Sequence, residues 1–161
     1  MSGRTRSLMV RELVAADRQQ PQVAGGEFGP QDATGLAVLM LEAYRGTVDD
    51  EGETLHDANN AVEALFAGQF GVFDAEASVA FRGESGFDAA TVVTEHGGTP
   101  LLAFSMTHPC AVRRGLARMG LHHAIGVLAR AGRGELRLVV TDTNDRAMPL
   151  YLSEGFHRLG S

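Results

Sequence analysis

Apolar positions change their spacing along the chain, and each change marks an element. Leu8–Leu13 is a compact apolar run that predicts a first strand. Arg18–Asp32, rich in Gln, Gly and Pro, reads as a loop or partly ordered connection. Asp32 or Thr34 can then cap a helix with Leu36, Leu39, Met40 and Ala43 on one face, stopped by Gly46. Thr47–Glu53 (TVDDEGE) is an acidic loop. Thr54 and Asp57 are spaced as a capping box for a second helix, whose stripe is Ala58, Ala61, Val62 and Leu65 and whose end is Gly68.

The pattern then turns to strands, at Ser78–Arg82, Ala89–His96 and Pro100–Thr107, the last two joined across Gly97-Gly98 as a hairpin. Leu116, Met119, His123, Val127 and Leu128 return to helical spacing until Gly132. Glu135–Thr141 (ELRLVVT) is a buried-strand run, and Asp145–Glu154 predicts a last helix ended by Gly155. With no repeat and no linker, residues 1–161 are expected to form one α/β domain, a mixed sheet with helices on its faces.

Composition narrows the function. A net charge of -6 argues against a nucleic-acid partner, which calls for a basic stripe, but leaves room for a local anion patch. Cys110 is the only cysteine, so neither a disulfide framework nor a thiolate zinc cluster can form within one chain. No apolar run approaches the ~20 residues that span a bilayer. Arg4 and Arg6 are not followed by the apolar core of a signal peptide. The expectation is a cytoplasmic domain with no membrane and no nucleic-acid partner.

Two stretches carry chemistry. Thr107–Gly120 (THPCAVRRGLARMG) lies between a strand and a helix. Gly115 allows close backbone approach, the helix start offers unpaired N–H groups, and Arg113, Arg114 and Arg118 add charge, which together favour a phosphate or pyrophosphate. The pattern is not a Walker A, because Leu121-His122 stands where Lys-Ser/Thr would, and no G-x-G-x-x-G follows the first strand. In Thr143–Phe156 (TNDRAMPLYLSEGF), Asn144 and Tyr151 are two helical turns apart and can face one way. A phenol with pKa near ~10 stays protonated at neutral pH and can donate to a departing thiolate of pKa roughly 8.5. A Tyr simply packed in the core would fit that spacing equally well.

In this order the two stretches resemble the GNAT acetyltransferase superfamily, bacterial type, most clearly from Pro100 to Phe156. The family's Q/R-x-x-G-x-G/A falls on Val112, Arg113, Arg114, Gly115, Leu116 and Ala117, with Arg118 following. Its N-x-x-A-x-x-x-Y-x-x-x-G-F falls on Asn144, Ala147, Tyr151, Gly155 and Phe156. Val112 replaces the usual Gln or Arg, Pro149 lies early in the last helix, and only five residues follow Phe156, so the family's closing strand is short or missing.

The resemblance implies a mostly antiparallel sheet of about six strands flanked by about four helices, opening as a V between the fourth and fifth strands. It implies acyl-CoA-dependent N-acyl transfer, acetyl-CoA as co-substrate without a metal, and a small amine or peptide amine as acceptor. Ser105, Met106 and Thr107 would present backbone groups to the pantetheine arm, with an N–H near Met106 on the thioester oxygen, and Asn144 would complete the cofactor site. Tyr151 would protonate the thiolate. For the base, Glu95, His96, His108 and Asp49–Glu51 are candidates, with Glu95 preferred. His122-His123 diverge by about 100° on a helix and do not suggest a metal. The alternative is a non-catalytic acyl-CoA-binding domain, and a remoter one is an anion-binding or assembly module. Because relatives carry a closing strand beside the equivalent of Glu135–Thr141, a short C-terminus should leave that strand's edge bare, favouring a homodimer or an unusually open acceptor cleft.

Overall fold

The computed structural model describes residues 5–21 and 23–159; residues 1–4, Arg4 among them, with Gln22, Gly160 and Ser161 lie outside the described residues. Strand β1 (Arg6–Glu12) is followed by two short 3-10 turns and by helices α1 (Ala33–Tyr44) and α2 (Leu55–Phe66). Next come β2 (Val72–Phe73), β3 (Val79–Arg82), β4 (Phe87–His96) and β5 (Thr99–Thr107). Helix α3 (Leu116–Arg130), β6 (Glu135–Thr141), α4 (Met148–Ser153) and β7 (His157–Arg158) complete the chain. The seven strands form one sheet in the order β2-β4-β5-β6-β1-β7, with β3 also paired to β4. Among the described residues only the strands β5 and β6 pair in parallel.

Consecutive strand residues point to opposite faces, and β4 divides the core accordingly. Val92 packs with Leu36, Leu39, Met40, Val62 and Leu65 under α1 and α2. Val93 packs with Leu121, Ile125, Leu128 and Tyr151 under α3 and α4.

Local chemistry sets the helix ends. The Thr54 hydroxyl oxygen accepts from the Asp57 amide at 3.2 Å while Asp57 accepts from the Thr54 amide at 2.8 Å, the anticipated capping box. Asp32 does not cap α1 with its side chain; it accepts from the Gly29 amide at 3.0 Å instead. The last helix begins three residues later than expected. Asn144 Oδ1 accepts from the amides of Arg146 and Ala147, at 3.3 and 3.1 Å, and holds those residues in a turn. Pro149 is the second residue of α4, where a missing N–H costs nothing, so it does not loosen the turn before it.

Two features of the sheet make the site. The β5–β6 pairing is confined to Leu101↔Arg137 and Leu102↔Leu138. Toward β4 the register jumps, Val92 facing Phe104 and Val93 facing Leu102, which leaves Ala103 as an extra residue that bends β5. Beyond this bulge β5 and β6 part, at the junction anticipated between the fourth and fifth strands.

The expectation of a bare Glu135–Thr141 edge is overturned. β1 pairs with β6 along its whole length, from Arg6↔Thr141 to Glu12↔Glu135. β7 then pairs outside β1, through Met9↔Arg158 and Val10↔His157. The place assigned to a closing strand is filled by the N-terminal strand, and the physical reason offered for a dimer disappears with the bare edge.

Candidate active site

Where β5 and β6 separate, two cavities meet. One, of about 340 Å³, lies against the turn before α3. The other, of about 540 Å³, lies between the α1–α2 loop and the β5–β6 surface. Tyr44, Asp49, Ser105, Asn144, Ala147 and Tyr151 line both and therefore mark the junction.

The smaller cavity gathers free backbone donors and positive charge. After the Pro109–Ala111 turn, Arg113 (φ 73°) and Gly115 (φ 77°) both adopt left-handed backbone, and Arg113 is the only non-glycine among the described residues to do so. That conformation costs a side-chain-bearing residue about 1–3 kcal/mol, and such strain gathers at ligand sites. Gly115 leads into α3 with no side chain capping the helix, so the first-turn N–H donors of a 15-residue helix stay available.

The three arginines of this turn are not equivalent. Arg114 is held by Asp88 at 2.9 Å. Arg118 pairs with Glu154, which also contacts His122 at 2.8 Å. Arg113 is exposed and makes no ion pair among the described residues. On the facing wall Arg146 is likewise exposed and lines the cavity, a cation absent from the sequence-based candidates although it stands two residues after Asn144.

At the junction, Tyr151 is 7 % exposed and packs edge-on against Phe156, ring centroids 5.7 Å apart. Burial pushes its phenol up from the ordinary value, and a hydrogen bond with the Ser105 side chain partly offsets this. Tyr44 is also pushed up, by burial first and then by the nearby Tyr151 and Asp49. Asp49 accepts from the Thr141 hydroxyl at 2.7 Å, which fixes one carboxylate oxygen across the opening.

No family model matches the sequence, and no curated protein does. Solved structures do match the fold. A GCN5-related N-acetyltransferase from Sphaerobacter thermophilus superposes with a TM-score of 0.68 at 20% identity, over 96% of this chain and 48% of that one, so this chain spans about half its length. The PaiA N-acetyltransferase of Thermoplasma acidophilum, solved in complex with coenzyme A, gives 0.64 at 14% identity over 83% of this chain and 88% of that one. An acetyltransferase from Thermus thermophilus gives 0.60 at 19% identity, over 86% and 88%. The chain has the GNAT fold.

Within this GNAT fold the anticipated residues separate into two groups. Ser105, Thr107, Val112, Arg113, Gly115, Leu116, Ala117, Arg118, Asn144 and Tyr151 line the smaller cavity together. Arg114 and Met106 do not. Met106 is 2 % exposed, its side chain turned into the core under α1 and α2, so only its backbone is in question. Glu95 stands apart from the others. It lies near the hairpin end of β4, lines neither cavity and is paired with Arg133 at 2.7 Å. Proximity to the junction belongs to Asp49, from the acidic loop. His108 accepts from the Cys110 amide at 3.1 Å, and neither it nor His96 lines either of these two cavities. His123 bonds the Glu76 carbonyl at 3.0 Å. Among the described residues no three potential metal ligands gather, and no helix is long and apolar enough to cross a membrane.

Proposed function

We propose that the protein is an acyl-CoA-dependent N-acyltransferase that passes an acetyl group from acetyl-CoA to a primary amine. The observation that carries this reading is the junction itself: a buried phenol, Tyr151, and a fixed carboxylate, Asp49, line both cavities where these meet.

The residues of the smaller cavity suit CoA. The uncapped start of α3, Arg113 and Arg146 offer donors and charge to the pyrophosphate. Beyond Leu102, β5 has no strand partner on its β6 side among the described residues, so its backbone can bond an extended pantetheine arm as an added strand would. Val112 lines the same wall without a side-chain donor. As co-substrate, acetyl-CoA supplies the acyl group as a thioester.

In this reading the acceptor enters through the larger cavity. An alkylammonium of pKa near ~10 must lose a proton before it can attack, and Asp49 takes it. A β5 amide near Met106 bonds the carbonyl oxygen as negative charge develops there. When the C–S bond breaks, Tyr151 donates its proton to the sulfur; burial keeps the phenol protonated. The new amide leaves through one cavity and CoA through the other.

Thiol release from acetyl-CoA, measured across a panel of primary amines, tests the reading. Turnover is expected with at least one class. Asp49→Asn should lower it about 100-fold or more near neutral pH, and less at pH 9, where more amine is already neutral. CoA binding without turnover on any amine would support the non-catalytic CoA-binding reading instead.

A further inference from the structure

The larger cavity has an uneven lining. Its polar junction end is shared with the CoA side, but the surface leading away from it is apolar. Met40, Phe70, Phe104 and Val139 line this cavity alone. Val139 is exposed, and Phe70 and Phe104 pack edge to face with centroids 5.4 Å apart. The carboxylates Asp50, Glu53 and Asp57, from the loop that roofs the space and from the start of α2, join Asp49 and outnumber the two arginines of the lining, Arg6 and Arg45, of which Arg45 pairs with Glu42 at 3.6 Å. All three are held by backbone amides, Asp50 by Gly46 at 2.7 Å and Gly52 at 2.9 Å, Glu53 by Glu51 at 2.8 Å, and Asp57 by Thr54 at 2.8 Å.

We infer that the acceptor is a primary amine carried on an apolar body, an alkyl or arylalkyl amine, and not a polyhydroxylated amino sugar. This rests on the acyltransferase reading above and names the substrate class of that site. The ammonium group, drawn by the acidic roof, reaches Asp49 at the junction. The body behind it lies on Phe104, Phe70 and Val139, where each buried methylene adds affinity. Sugar hydroxyls on that surface would give up water and gain no partner, so the same surface rejects them.

Binding is read directly, apart from turnover, by calorimetric titration of the protein saturated with CoA. The ligands are straight-chain amines from propyl to octyl, phenethylamine, glucosamine and hexanoate. Affinity is expected to rise about three- to fourfold per methylene until the cavity is full. Phenethylamine should bind at least as well as pentylamine, and glucosamine and hexanoate should give no measurable heat. Phe104→Ala should flatten the dependence on chain length, and Ala61→Phe, on the cavity wall, should stop it at a shorter chain. Affinity independent of length, glucosamine tighter than hexylamine, or hexanoate equal to hexylamine would overturn the inference. Failure of the acyltransferase reading shows separately, as no thiol release with an amine that binds.

Discussion

Gly120 lies directly against Thr91: a β-carbon added at Gly120 would fall 1.9 Å from the Thr91 hydroxyl oxygen. Thr91 is 2 % exposed on β4, and its register partner on β5 is Ser105, at the cavity junction. The close approach of α3 to the sheet therefore supports the strand that presents the site. Gly120→Ala forces α3 outward and should destabilise the fold by about 1–3 kcal/mol, seen as a lower denaturation midpoint. Thr91→Ala in the same chain should restore part of the loss, because the two changes share one contact. An unchanged midpoint for Gly120→Ala would show that α3 stands further from β4.

The arginines of the turn before α3 should contribute unequally to CoA binding. Arg113 has no ion pair among the described residues, whereas Arg114 is held by Asp88. Loss of a charged hydrogen bond to phosphate costs about 1.5 kcal/mol or more, so Arg113→Ala should weaken CoA roughly tenfold. Arg114→Ala should change it by less than about threefold. Isothermal titration with CoA decides, and equal losses would mean that Asp88 releases Arg114 to the ligand.

Tyr151→Phe removes only the hydroxyl and should slow turnover about 10²–10⁴-fold with CoA affinity nearly unchanged. The pH profile adds a second readout. Burial raises the phenol above its ordinary value near 10, so its acid form persists throughout the range below that. With an acceptor already neutral at pH 7, kcat should show no falling limb below pH 10. A limb centred near pH 8–9, or a full rate for the Phe variant, would assign the proton to another donor.

Asp17 is a different kind of carboxylate, 5 % exposed and bonded by Arg11 through two nitrogens at 2.8 and 2.9 Å. Arg11 also donates to the Glu154 carbonyl at 2.6 Å, so the pair ties β1 to the end of α4. The Arg11 hydrogen bonds hold the Asp17 carboxyl below its ordinary value, against the effect of burial. A depressed folded-state value means that protonation favours the unfolded chain. The stabilisation is thus complete at neutral pH and declines as pH falls below about 4. Asp17→Asn leaves Arg11 without its charge partner and should cost about 3 kcal/mol at pH 7, a difference that shrinks in acid. Urea melts at pH 7 and pH 3 measure both, and equal differences at the two values would contradict the account.

What is legible in the sequence follows the range of the interactions involved. The Thr54–Asp57 cap and the Gly97-Gly98 hairpin are contacts between near neighbours, and both can be read from the residues. β2 escapes the pattern because two residues carry no period. The start of α4 is displaced from its expected position because the Asn144 side chain competes with the helix for the amides of Arg146 and Ala147. Sequence favours Glu95 over Asp49 because strand position is readable, whereas the path that folds the α1–α2 loop back against Thr141 is not. Strand order is invisible for the same reason: nothing in Leu8–Leu13 says that it will lie beside a strand about 130 residues later.

That last relationship can be tested by rearranging the chain. β1 lies between β6 and β7, antiparallel to both, and the Leu159 amide donates to the Leu8 carbonyl at 2.9 Å. The end of β7 therefore runs beside the beginning of β1, the geometry of a hairpin without its turn. If β1 serves as the sheet's closing strand, its connection to the segment after it matters less than its place beside β6. Removing residues 1–13 strips Met9, fully buried, from the core and bares the whole of β6, so that chain should show no cooperative melt. Moving the same residues to follow Ser161 through a short Gly-Ser linker lets the strand re-enter as the second arm of a hairpin. The rearranged chain should melt cooperatively and bind CoA within about fivefold of the original, since the turn before α3 lies on the other side of β5. Cooperative folding of the truncated chain, or failure of the rearranged one to fold while the original does, would show that β1 is not acting as the closing strand.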